Sequence, residues 1–166
     1  MLKTTGSFIN TKKGELFLII FVILIIIILD QLTKYWASTY LKPQGSISVI
    51  EDVFSFTYVE NRGAAFGILQ NQRWLFIVLT IIICIGLFYY IYTTDNMPLI
   101  LRISLCLILG GAIGNLIDRI KNGYVVDMFH LTFIDFPVFN VADCFVVIGT
   151  ILLACYLLFI EGQSVD

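Results

Sequence analysis

The stretch WLFIVLTIIICIGLFYYIY, residues 74–92, runs nineteen residues without a single charge. A helix of about 20 mostly apolar residues crosses the hydrocarbon core of a bilayer. This stretch therefore predicts a membrane span, and the rest of the chain has to be read with lipid as part of the solvent. Working outward, Pro98 to Ile117 is a second such segment, with Arg102 near one end and Asn115 near the other. Val141 to Ile160 is a third, with Asp143 in its first turn. Leu16 to Leu29 is an unbroken apolar run of only fourteen residues. That is short for a span, so the helix is expected to continue through Asp30 and Lys34 to about Ala37. The expected spans are thus about 16–37, 74–92, 98–117 and 141–160, within one membrane domain covering residues 1–166.

Composition agrees. The chain is 59% hydrophobic and 13% charged, with mean hydropathy +0.95; a soluble domain carries about 25% charged residues. Net charge is −2 and the only basic run is Lys12-Lys13, which argues against a nucleic-acid partner. Cys84, Cys106, Cys144 and Cys155 all fall in apolar stretches with no C-x-x-C pair, and the single histidine, His130, lacks an H-E-x-x-H context. They read as small buried hydrophobes, with no metal and no cofactor expected. Lys12-Lys13 ahead of an apolar core also has the layout of a secretory signal. The nearest small-residue cleavage pattern, Ala37-Ser38-Thr39, is weak, and three further spans favour a retained first helix.

Four spans put both ends of the chain on one side. Lys3, Lys12, Lys13 and Arg102 would share that side, against Lys34, Lys42, Arg62, Arg73, Arg119 and Lys121 on the other. A plain count argues against cytoplasmic termini. The flank of the first helix usually dominates, however, and favours them. Residues 38–72 form the larger outer piece. Pro43-Gln44-Gly45 reads as a turn, and ISVI and VFSFTYV alternate as strands do, predicting a small sheet on the membrane surface. Residues 118–140 are read as an outer loop.

The ionisable residues gather at one level. An acid or base at a helix centre costs about +3 kcal/mol to insert, less toward the interface, so such residues usually mark function. Asp30 and Lys34 are four apart at the outer end of the first span; Asn115, Asp118 and Arg119 end the third; Asn140 and Asp143 open the fourth; Asp127 lies between, in VVDMF. Spacings of three and four place Asn115 with Asp118, Asn140 with Asp143, and Asp30 with Lys34 on shared helix faces. Structural readings exist for each: an interfacial ion pair for Asp30–Lys34, an anchor for Asp118–Arg119, and a capping box for Asn140–Asp143. None explains Asp127. Gly110 and Gly114 form a G-x-x-x-G face that permits close helix approach.

Two carboxylates at a low-dielectric boundary do not both ionise easily, and a pair sharing one proton can activate water and protonate a leaving amine. There is no G-x-S-x-G, no presenilin-type G-x-G-D and no metal cluster to support another route. The rival readings are a small transporter or proton relay, which should distribute acids through the bilayer depth, and a structural subunit, which leaves Asp127 without a purpose.

DQLTK at 30–34, ENRGAAFG at 60–67, GGAIGNLIDR at 110–119, VVD at 125–127 and FPVFNVAD at 136–143 follow one another in this order. Together they resemble bacterial lipoprotein signal peptidase, signal peptidase II, over about residues 16–160. The resemblance implies a four-helix integral membrane protein with a small extracytoplasmic β-cradle. It implies an aspartic endopeptidase of the bacterial cytoplasmic membrane, acting near the extracytoplasmic surface and cutting before a diacylglyceryl-modified cysteine. It implies Asp127 and Asp143 as the catalytic pair, with Asp30, Lys34, Asn61, Gly63, Asn115, Asp118, Arg119, Asn140 and Ala142 around them. It further implies diacylglyceryl prolipoproteins and membrane lipid as partners, globomycin-type inhibitors, and a monomer. One departure is Met128, where the motif usually has an aromatic; Phe129 is expected to fill that place.

Overall fold

The computed structural model describes residues 5–64 and 68–160. Lys3 and the last three residues of the ENRGAAFG motif lie outside them. Helix α1 spans Thr5–Trp36 and continues into a π-helical turn, Ala37–Leu41. Strands β1 (Ser46–Ile50) and β2 (Phe54–Asn61) follow, then α2 (Arg73–Thr93), α3 (Leu99–Lys121), β3 (Val125–Leu131) and α4 (Val141–Phe159). The four helices are long and apolar enough to cross a membrane, and this is a multi-pass membrane protein.

Residues 118–140, expected as a loop, carry more structure than that. Helix α3 runs on to Lys121, with Arg119 and Lys121 in its last turn, where cations favour the negative end of the helix dipole. The apolar run ends at Ile117, while the backbone hydrogen bonds of the helix continue to Lys121. After Gly123, at φ +84°, the chain turns into β3, which pairs antiparallel with β2 and completes a sheet of order β1-β2-β3. β3 hides from hydropathy patterning because Val125, Val126, Asp127 and Met128 are all buried, so no alternation is visible.

Helix α3 is the centre of the bundle and packs against α1, α2 and α4. Its glycines make this possible. A Cβ at Gly110 would sit 2.8 Å from the Ile26 side chain, and one at Gly114 would sit 2.5 Å from an Asp30 carboxylate oxygen. One at Gly111 would collide with the Ala142 carbonyl. The G-x-x-x-G face thus meets α1, and the glycine between opens onto α4.

Away from the sheet the core is aliphatic, built from Ile19, Ile23, Leu101, Leu105 and Leu109 with Tyr156. At the sheet end a second cluster of Ala37, Leu41, Val126 and Met128 seats β3 on the π turn. Met128 itself is fully buried here. Phe129 packs against the same cluster from its edge and joins the rings of Phe54, Phe56 and Phe139.

Candidate active site

Asn140 caps α4. Its side-chain oxygen accepts from the Asp143 backbone N–H at 2.9 Å, and its own N–H donates to the Asp143 carboxylate at 3.1 Å. This is the reciprocal box suggested by the N-x-x-D spacing. It holds Asp143 in the first turn of α4, where the helix dipole favours negative charge. The Asn140 amide nitrogen is then free to point elsewhere. It donates to Asp127 Oδ1 at 2.6 Å and to Asn115 Oδ1 at 3.2 Å. One residue therefore binds both carboxylates, Asp143 through its backbone and Asp127 through its side chain.

Asp127 comes from β3 and is buried. Its second oxygen accepts from Asn61 Nδ2 of β2 at 2.9 Å. Burial raises its carboxyl from the ordinary 3.8 to about 7. The Asp143 charge adds to that shift, while the Asn61 and Asn140 hydrogen bonds and the Lys34 charge oppose it.

Asn115 does not serve its helix neighbour Asp118. Its Nδ2 donates to Asp143 Oδ1 at 2.8 Å, across to α4. Sharing a helix face gives two side chains a common direction; the partner is whatever packs opposite. Asp118 instead accepts from the Val126 backbone N–H at 3.1 Å and pairs with Lys34 at 3.2 Å. Lys34 also pairs with Asp30 at 2.8 Å and donates to Asn115 Oδ1 at 2.8 Å. Asp30 accepts from the Ala142 N–H at 3.0 Å, and all three charges in this cluster are buried.

Arg119 takes a different path from Asp118. Its guanidinium lies 4.8 Å from the Phe76 ring centroid and donates to the Gly63 carbonyl at 3.2 Å. Gly63 has no room for a side chain, since a Cβ would sit 2.6 Å from the Ile68 carbonyl. Its N–H donates to Asn61 Oδ1 at 2.9 Å, fixing the amide that faces Asp127.

Two residues went unmarked in the sequence reading. Gln31 donates toward Asp30, Asp118 and the Gly114 carbonyl at 3.2–3.3 Å; a second polar residue beside Asp30 inside a span was its signal. Arg73, counted only for topology, caps the end of α3 at the Arg119 and Ile120 carbonyls, both at 2.8 Å.

Asp127 and Asp143 open into one cleft of about 590 Å³, with Asn61, Asn115 and Arg119 at its polar end. Phe136, Pro137, Val146, Val147 and Ile148 make the remainder apolar. No cluster suited to a metal ion is present among the described residues. Two acids with unequal surroundings, facing one water-accessible cleft, suit hydrolysis by a shared proton.

The family described as Signal peptidase (SPase) II matches residues 22–159. The lipoprotein signal peptidase of Clostridioides difficile (strain 630) is 46% identical over 147 residues, 89% of this chain and 99% of that protein. That of Halothermothrix orenii is 52% identical over 136 residues, covering 82% and 92%. A solved structure described as a bacterial membrane enzyme at 2.3 Å resolution superposes with TM-score 0.79 at 38% identity, covering 84% of this chain and 87% of that one. A second, at 1.9 Å, gives 0.77 at 38% identity, covering 86% and 93%. Fold and family together define a multi-pass membrane peptidase. The chain belongs to the signal peptidase II family.

Proposed function

We propose that this chain removes the signal peptide from diacylglyceryl-modified prolipoproteins, cutting before the lipidated cysteine, with Asp127 and Asp143 as its catalytic pair. The observation that carries the reading is Asn140, which hydrogen-bonds both carboxylates at the polar end of one cleft. The pair shares one proton, and the burial that raises Asp127 to about 7 favours Asp127 as its holder. Their titration belongs to the pair. Water entering between them loses a proton to the ionised acid as its oxygen attacks the scissile carbonyl carbon. The protonated acid hydrogen-bonds the carbonyl oxygen as it gains charge. Collapse of the tetrahedral intermediate breaks the C–N bond, and the proton taken from water passes to the leaving amine.

The apolar part of the cleft suits a substrate held in lipid. The polar layer sits at one end of the bundle, which supports an active site at the extracytoplasmic surface of the cytoplasmic membrane, with both termini inside. Globomycin-type cyclic peptides would occupy the same cleft, and the chain would act as a monomer. Among the described residues the core beyond the polar layer is mainly aliphatic, with Ile19, Ile23, Leu101 and Leu105, and its buried Ser104 hydroxyl is spent on the Leu101 carbonyl, which counts against a proton relay.

The deciding experiment is cleavage of a diacylglyceryl-modified precursor by Asp127→Asn and Asp143→Asn separately. Each should lose about 10²- to 10⁴-fold in rate, the usual contribution of a positioned acid or base. Near-normal cleavage by either variant overturns the pair.

A further inference from the structure

We infer that Lys34 is a positioning residue for the reaction, acting on Asp143 through the side-chain amide of Asn115. The inference rests on the catalytic pair proposed above. Lys34 is 3% exposed and is not among the residues that line the cleft. It therefore does not touch substrate. Its ammonium has three protons and no acceptor. All three have partners: Asp30 Oδ2 at 2.8 Å, Asp118 Oδ2 at 3.2 Å and Asn115 Oδ1 at 2.8 Å.

The third contact decides which way Asn115 faces. With its oxygen held by Lys34, and by Asn140 Nδ2 at 3.2 Å, its nitrogen must turn to Asp143 Oδ1 at 2.8 Å. The flipped amide would set its N–H groups against the ammonium and against another amide N–H, and its oxygen against a carboxylate. A cation on the carbonyl also polarises the amide, so its N–H becomes a stronger donor to the carboxylate. Deleting Lys34 removes the polarisation and leaves the orientation to the Asn140 bond alone, although Asn115 and Asp143 remain.

The same ammonium fixes the surroundings of the pair. Asp118, which it neutralises in part, holds the Val126 N–H next to Asp127; Asp30 holds the Ala142 N–H next to Asp143. A role in folding is thus certain to accompany the positional one, and the test must separate them. The amide relay predicts a loss in kcat with KM unchanged, because the group removed acts on the reacting acids and not on the bound peptide.

The full-length enzyme in lipid or detergent would be assayed on a lipidated precursor as wild type, Lys34→Met, Lys34→Gln, Asn115→Ala and Lys34→Met/Asn115→Ala. Lys34→Met should lower kcat by about 10- to 100-fold, the usual scale for an outer partner of a reactive group, at constant KM. Lys34→Gln, which keeps a donor toward Asn115, should recover most of that loss. In the Asn115→Ala background Lys34→Met should cost little more, since the relay is already cut. A loss carried by KM, equal effects of Met and Gln, or full additivity with Asn115→Ala would overturn the relay. If Lys34→Met does not fold, Lys34→Met/Asp118→Asn, which removes one orphaned carboxylate, is read against Asp118→Asn by the same criteria. None of these outcomes bears on the pair itself, which stands or falls by the two aspartate variants.

Discussion

Helices α2 and α3 are 21 and 23 residues long, both cross the bilayer, and they are built on opposite terms. In α2 only Ile77 and Ile91 are buried, and most of its surface is aliphatic or aromatic side chain facing outward. In α3 the buried set includes Ser104, Gly110, Gly111, Gly114 and Asp118. Lipid accepts almost any apolar side chain, so α2 needs little beyond hydrophobicity and length. Three neighbouring helices press on α3, so its residues are chosen by shape and by hydrogen-bond partner. Polar residues at membrane depth are affordable in the second case only, because each finds a partner there.

The comparison breaks most visibly at glycine. Gly114→Leu should abolish cleavage and destabilise the fold, because even the first carbon of the new side chain meets Asp30 at 2.5 Å. Overpacking of this kind costs about 1–3 kcal/mol before the displaced charge is counted; thermal unfolding in detergent and precursor cleavage would measure the two effects. Wild-type behaviour would show that α3 can move away from α1 without cost.

Acidity sharpens the same contrast, since the titrating acid sits only at the packed end. Asp127, raised to about 7, should lose its proton as pH rises past that value, and in the proposed pair that is the shared one. The cleavage rate should then fall toward tenfold per pH unit. Stability follows the linked sign. Between 3.8 and about 7 the folded state holds a proton that the unfolded chain has released, so stability falls as pH rises through this window and levels above it. Asp127→Asn should flatten that slope. An unfolding midpoint with the same pH dependence in wild type and variant would contradict the burial of this acid.

Arg73 tests a place where α2 acts on α3 through a polar side chain. Arg73→Ala removes the guanidinium from the Ile120 carbonyl and from the Arg119 carbonyl, which keeps its bond from the Gly123 N–H. Stability should drop by about 1–2 kcal/mol, given partial exposure of these charge-assisted bonds; equilibrium unfolding would report it. The smallest effect belongs to α2 itself. A Cβ at Gly86 would meet nothing within 4 Å, so Gly86→Ala should change the unfolding free energy by no more than about 0.5 kcal/mol and leave cleavage as it is.

Much of the architecture was readable because lipid imposes a length and a composition that a sequence displays directly. The capping box of α4 was readable for a related reason, being a contact within one turn. β3 was not, because burial on both sides erased its alternation. The Asn115 partner was not, because its neighbour Asp118 shares its helix face while its hydrogen bond crosses to α4. Gln31 and Arg73 escaped notice because nothing local distinguishes a bridging amide or a capping guanidinium from ordinary interfacial polarity.

By itself the sequence determined four membrane helices, a polar layer at one depth, and a family whose motifs occur here in order. Those features follow from local rules: hydropathy over a fixed thickness, helical spacing, and residue type. Only the tertiary structure decided which donor meets which carboxylate, because hydrogen bonds across packed helices depend on where backbones can approach. Here the glycines of α3 set that approach, bringing Asp30 to Ala142, Lys34 to Asn115 and Asn140 to both acids.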